Sequence, residues 1–261
     1  MFSSKLMIAA AMAAMASVSA HAENFYISGS ASWNDMDDVD TDGRFNSNFV
    51  TGEGVVIPAG VVIPAGTRLQ WDTDVDNSWG VQLALGWRME DWRFEAEYAW
   101  AEHDVEGHKN VRVDGLNIDG VDAAVLLSGV LTPLGFTVGE IVDGGQGDIS
   151  ADYLFFNAYY DFDTGTQWQP YVGAGIGNAW VDVDYKPSDV RIVDDDDSVF
   201  AWQVMAGLNY LCSDELTFFG GLRWREANDA EVDSRLLPAE FDIETESLIV
   251  ELGVRWNFTM Y

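Results

Sequence analysis

Basic residues are scarce in this 261-residue chain. Lys and Arg number 13 against 44 Asp and Glu, a formal charge of −31. That excludes a general nucleic-acid binder, because phosphate binding needs a basic surface. It suits a cation-binding or highly solvated surface. Cysteine is nearly absent, and the single Cys212 permits no internal disulfide. No Cys/His spacing for zinc and no phosphate-cradling loop occurs. Histidine is almost as rare. A serine-type hydrolase needs His beside Ser and a carboxylate. Beyond the N-terminal leader only His103 and His108 remain, with no His-x-Ser pairing, and His103 is followed by Asp104. Both are read as exposed loop residues, and the chain as not an enzyme. A stretch suited to a transmembrane helix is missing too. Val121 to Val142 is apolar, but Asp122, Pro133 and scattered glycines disfavour a transmembrane helix.

Aromatic residues, by contrast, are abundant: Trp 11, Tyr 9 and Phe 14. An acidic disordered chain would not carry them. The N-terminus has the marks of a secretory leader. Lys5 is the positive region, Leu6 to Val18 the apolar run, and Ala20-His21-Ala22 the cleavage site. The expected domains are therefore a signal peptide over residues 1–22 and one β domain over 23–261.

The last stretch, Glu246 to Phe258, shows the organising pattern. Leu248, Val250, Leu252, Val254, Trp256 and Phe258 share one face; Ile249, Glu251, Gly253, Arg255 and Asn257 share the other. A period of two is a strand signal. The same alternation recurs at residues 24–33, 78–89, 92–100, 169–185, 200–211 and 216–226, and less cleanly over the strongly aromatic 149–162. Several of the apolar faces carry aromatics toward their ends, as interfacial girdles require. Tight turns fall at Glu90-Asp91, Thr164-Gly165 and Ser213-Asp214, whereas the other connections, 35–78, 102–147, 186–198 and 227–245, are long and acidic. Such segregation is the mark of a membrane barrel, and a sheet that spans lipid must close. The expected fold is all-β: an eight-stranded antiparallel transmembrane barrel with short periplasmic turns and long acidic extracellular loops.

Four segments carry the resemblance to a known family: FFNAYYDF (155–162), QPYVGAGIG (169–177), AWQVMAGLNY (201–210) and LTFFGGLRWR (216–225). They resemble the opacity-type and OmpA-like small outer-membrane β-barrels. Gly253, Trp256 and Phe258 are similar to that family's C-terminal assembly signal. The resemblance implies reading by the barrel-assembly machinery and residence in the cell outer membrane. The chain departs from the pattern in carrying Thr259-Met260-Tyr261 after the terminal Phe.

Two sites are expected. The inward face carries Arg88, Arg93, Arg223, Arg225 and Arg255 with Glu95, Glu97 and Glu251. In a lumen only wide enough for side chains, these should pair and cross-link the wall. In the first long connection, Asp38, Asp40 and Asp42 before Gly43 match half of a calcium loop, although its twelfth position is Phe49. A solvated acidic surface is the other reading. The role expected is structural, at a surface that contacts ions, lipopolysaccharide through bridging cations, or a partner. A narrow ion or solute channel is the rival. A third reading is an adhesin acting through Val55 to Gly66, a tandem VVIPAG repeat, and Val121 to Val142.

Overall fold

The computed structural model describes residues 24–36, 38–50, 62–123, 135–143, 147–186, 192–234 and 237–258. The expected leader, most of the VVIPAG repeat and the middle of the apolar stretch Val121 to Val142 lie outside them. The chain forms β1 (Phe25–Met36), β2 (Val39–Phe45), β3 (Phe49–Val50), β4 (Val62–Ile63), β5 (Arg68–Val75), β6 (Ser78–Met89), β7 (Trp92–Val113) and β8 (Leu116–Asn117). A short helix α1 (Val138–Val142) precedes β9 (Gly147–Asp161), β10 (Trp168–Tyr185), β11 (Val193–Leu211), β12 (Leu216–Asp233) and β13 (Ala239–Asn257).

Eight strands close a ring. β1 pairs with β6, β6 with β7, β7 with β9, and the order then runs through β10, β11 and β12 to β13. β13 returns to β1, from Tyr26↔Asn257 to Met36↔Ser247. Every pairing is antiparallel, as the alternation and tight turns lead one to expect. At the short turns Glu90 and Gly165 take positive φ, 56° and 68°, to reverse the chain.

The strands are longer than the sequence suggests. β7 has 22 residues, β11 and β13 have 19 each, and β10 and β12 have 18 each. A tilted strand needs only about 9–11 residues to cross a bilayer. Half of each long strand therefore stands beyond the apolar belt. β2 and β5 belong to this upper wall. Asn34 faces Ser78 in the lower hairpin and Val39 faces Thr73 in the upper one, so the pairing frame is unchanged. β2 also pairs with β13, and β5 with β7.

The expected long loops are corrected accordingly. Segment 39–45 is wall, as is 68–75. β7 runs on to Val113, Asp194 to Asp197 lie inside β11, and the fourth connection shrinks to 234–238. In the second connection, β8 folds back on β7 and α1 opens with a capping box between Thr137 and Glu140.

Polarity inverts along the wall. In the lower half Leu83, Ile176, Leu222 and Leu252 are exposed outward, at 49%, 60%, 54% and 72%. Arg93, Glu97, Arg223 and Glu251 are buried inward. Trp87, Trp92, Trp168 and Trp256 ring the short-turn end, and Trp33 packs edge-on against Trp79 at 5.2 Å near the other boundary. In the upper half the inward residues are mostly apolar: Val39, Phe45, Trp71, Val183, Phe241 and Ile243 are all buried, and Val138 and Val142 of α1 add to this core, with Thr41, Thr73, His103 and His108 as its polar members. Their outward neighbours Asp40, Asp42, Asp182 and Asp242 are charged and face water. A Cβ on Gly43 would come within 2.0 Å of the Phe241 ring, so the β2 position opposite Phe241 must be Gly.

Phe241 sits 4.6 Å from Trp71, ring to ring, in the centre of this upper core. Phe241→Ala should leave a cavity and cost about 3–5 kcal/mol. Urea-dependent unfolding should show that loss, with proteolytic cuts appearing first in the upper half.

Candidate functional site

The lower lumen is filled by a charge network that joins strands across the barrel. Arg223 on β12 reaches two carboxylates at once. Its Nη2 donates to Glu97 Oε2 and to Glu251 Oε2, each at 3.0 Å, and its Nη1 donates to Gln203 at 2.9 Å and also to Glu97 Oε1. Asn157 adds a bond to Glu97 at 3.2 Å. Nearer the short turns, Arg93 donates from Nε to Asp161 at 2.8 Å and from Nη1 to Glu95 at 3.1 Å. Arg88 and Asn209 also donate to Asp161, each at 3.0 Å. Tyr26 completes the shell of Glu95 at 2.8 Å. These carboxylates lose hydration but gain several donors each, which is the condition under which a buried ion pair holds. A cavity of about 20 Å³ is left, lined by Arg93, Arg223 and Arg255 among others.

The expected pairing holds for Arg88, Arg93, Glu95, Glu97, Arg223 and Glu251. It is corrected for two arginines. Among the described residues, neither Arg225 nor Arg255 makes an ion pair with a carboxylate. Arg225 lies 4.2 Å over the Tyr153 ring and bonds Gln203 at 3.3 Å. Arg255 lies 5.2 Å from both the Tyr26 and Phe219 rings and bonds Asn209 at 3.3 Å. A planar, weakly hydrated guanidinium tolerates such stacking. Asp161, Tyr26, Gln203 and Asn209 join the expected set. The sequence does carry a signal for Asp161, which shares the inward parity of Asn157 and Tyr159 on β9.

The calcium loop is also corrected. Asp40 and Asp42 lie within a straight strand, alternating with buried Val39 and Thr41, and Gly43 is wall rather than turn. Asp38 instead pairs with Lys109 at 3.0 Å, and Asp42 accepts from Gln70. Among the described residues no group of three potential metal ligands converges.

The two histidines are buried, not loop-exposed. His103 bonds the Asp76 carbonyl through Nδ1 at 2.9 Å, so Nδ1 carries the proton and Nε2 accepts from the Ser78 hydroxyl at 3.2 Å. That pair lies inside the wall, a backbone carbonyl holds the place of an orienting carboxylate, and Asp104 points the other way. His108 bonds Thr73 at 2.8 Å and faces the Tyr185 ring at 4.8 Å. Burial pushes the His108 pKa down to about 4. Gly253, Trp256 and Phe258 lie on the closing seam. A Cβ on Gly253 would meet the Phe219 ring at 2.3 Å, and the Phe258 amide bonds the Phe25 carbonyl at 2.9 Å.

Arg223→Ala should strand two buried carboxylates and cost about 3–5 kcal/mol. Arg255→Ala should cost less in the same refolding titration, because no carboxylate is left unpaired. The upper core adds a pH dependence. His108 is neutral when folded, with its pKa below the unfolded value, so stability is full above about pH 6.5 and falls toward pH 4. Urea midpoints should drop across that window, and His108→Phe should flatten the drop.

A model of the outer membrane protein beta-barrel domain matches residues 6–258. Among solved structures, the outer membrane protein OprG from Pseudomonas aeruginosa is similar, with a TM-score of 0.54 at 16% identity over 92% of this chain and 97% of that one. Neisserial surface protein A aligns with a TM-score of 0.47 at 15% identity, over 90% and 97% of the two chains. The Escherichia coli outer membrane protease OmpT aligns with a TM-score of 0.44 at 8% identity, over 93% and 99%. No match appears among the curated proteins. The match over nearly the whole chain, together with the closed ring and its apolar belt, assigns this protein to the outer membrane β-barrel domain family, and with it to the cell outer membrane.

Proposed function

We propose that this outer membrane protein acts through its outer surface, as a structural, non-enzymatic barrel that takes up divalent cations and through them contacts lipopolysaccharide. Two features support a barrel that is closed along its axis. The Arg223 network fills the membrane-level lumen, and the apolar core fills the half above it.

The cross-strand register of the upper wall carries the surface reading. Asp104 faces Asp148, Asp148 faces Asp184, and Asp184 faces Asp194, an outward row across β7, β9, β10 and β11. Asp182 faces Asp196 in the next row. Neighbouring strands lie about 4.8 Å apart, and like charges directly opposite each other are destabilising. Lys186 meets Asp184 within the first row. Partial burial, then the Asp184 charge, raises the Asp148 pKa; partial burial, then Asp196, raises that of Asp182. A divalent cation would relieve the repulsion, and the row stands just beyond the lipid belt, where lipid phosphates lie. This surface replaces Asp38, Asp40 and Asp42 as the reading of the acidic composition. Biogenesis through the barrel-assembly machinery, with Gly253, Trp256 and Phe258 as its signal, belongs to the same proposal.

Calcium or magnesium should raise the thermal midpoint of the refolded barrel, and Asp148→Asn with Asp184→Asn should remove most of that rise. A midpoint indifferent to divalent ions at matched ionic strength would contradict the reading. The water-sized luminal cavity favours one other reading, a narrow ion path. Single-channel recording in a planar bilayer separates the two: a silent bilayer is expected, and discrete calcium-sensitive steps would favour the path.

A further inference from the structure

We propose that the luminal cavity beside Arg255 holds one dehydrated monatomic anion, a halide in chemical class. Among the described residues the lower lumen carries five guanidiniums, of Arg88, Arg93, Arg223, Arg225 and Arg255, against the four carboxylates of Glu95, Glu97, Asp161 and Glu251. Asp161 already receives both Arg88 and Arg93, and Arg223 serves Glu97 and Glu251 together. Arg225 and Arg255 are left with no carboxylate among the described residues, although they are only 3% and 2% exposed. An uncompensated charge out of water is costly, and Arg cannot shed its proton to avoid the cost.

The hydrogen-bond inventory has the same sign. Arg93, Arg223 and Arg255 all line the cavity. Each keeps one buried N–H without a partner among the described residues: Nη2 of Arg93, Nε of Arg223 and Nε of Arg255. Thr217, which faces Arg255 across the β12–β13 ladder, has a buried hydroxyl in the same condition. The cavity's carboxylates, by contrast, are supplied. Glu95 accepts from Tyr26 and Arg93, Glu97 from Arg223 and Asn157, and Glu251 from Arg223. What is lacking is an acceptor, and a negative one best fits both the donors and the odd charge. A volume of about 20 Å³ suits one water-sized particle and favours a monatomic ion over phosphate or sulfate.

The test is made on the whole mature barrel refolded in detergent micelles. Sodium bromide replaces sodium gluconate at constant ionic strength while thermal unfolding is followed. The midpoint should rise and then saturate, as binding to the folded state alone requires. Arg255→Gln should abolish the rise, and Arg225→Gln, whose side chain does not line the cavity, should keep it. No saturable rise in the wild-type barrel, or an equal rise in Arg255→Gln, overturns the proposal. If Arg255→Gln does not fold, bromide anomalous diffraction from wild-type crystals decides. A peak in the cavity beside Arg255 supports the anion, and a cavity without one overturns it.

Discussion

A strand in lipid cannot leave its backbone N–H and C=O groups unpaired. The rest of this structure depends on that constraint. It requires the ladder from β1 to β13 to close, which happens over eleven residue pairs between Tyr26↔Asn257 and Met36↔Ser247. Closure gives every strand an inward and an outward face. In the lipid belt the outward face must be apolar, so the polar residues have only the lumen. There they are taken out of water and must satisfy one another. The double use of Glu97 and Asp161 by neighbouring donors follows from that confinement.

The wall continues past the lipid, and the same period of two is then used in the opposite sense. Water outside favours charge on the outer face, and a narrow interior shielded from that water favours apolar filling. The result is two different interiors on one continuous ladder. The lower one is an ionic plug; the upper one resembles the core of a water-soluble barrel, with Trp71, Tyr185 and Phe241 packed at its centre. An axial path would have to cross both. That is why the outer face, rather than the lumen, carries the functional proposal.

The lower half is legible in the sequence because apolar alternation flanked by aromatics suits a lipid-facing strand and little else. Strand number, tight turns and the inward arginines can all be read from Glu246–Phe258 and its repeats. The upper half reads as loops because its outward residues are acidic. Val39, Thr41 and Phe45 alternate as regularly as Val250 and Leu252 do, yet Asp40 and Asp42 between them look like a cation loop. Asp194 to Asp197 hide a strand in the same way, since four successive aspartates show no period. Charge counting gives Arg225 and Arg255 carboxylate partners because it cannot see that Tyr153, Phe155, Tyr26 and Phe219 lie beneath them. His103 and His108 read as surface residues because the apolar face of β7 gives out after Trp100, well before the strand itself ends.

The interior is filled in both halves while its polarity inverts between them, and paired thiol labelling tests this most directly. In a Cys212→Ser background, Val183→Cys places a thiol in the upper core and Asp182→Cys places one on the exposed wall beside it. With a charged maleimide and the folded barrel, Asp182→Cys should label at once and Val183→Cys only after unfolding. Equal labelling of the two would mean a water-filled upper chamber and would contradict a filled interior.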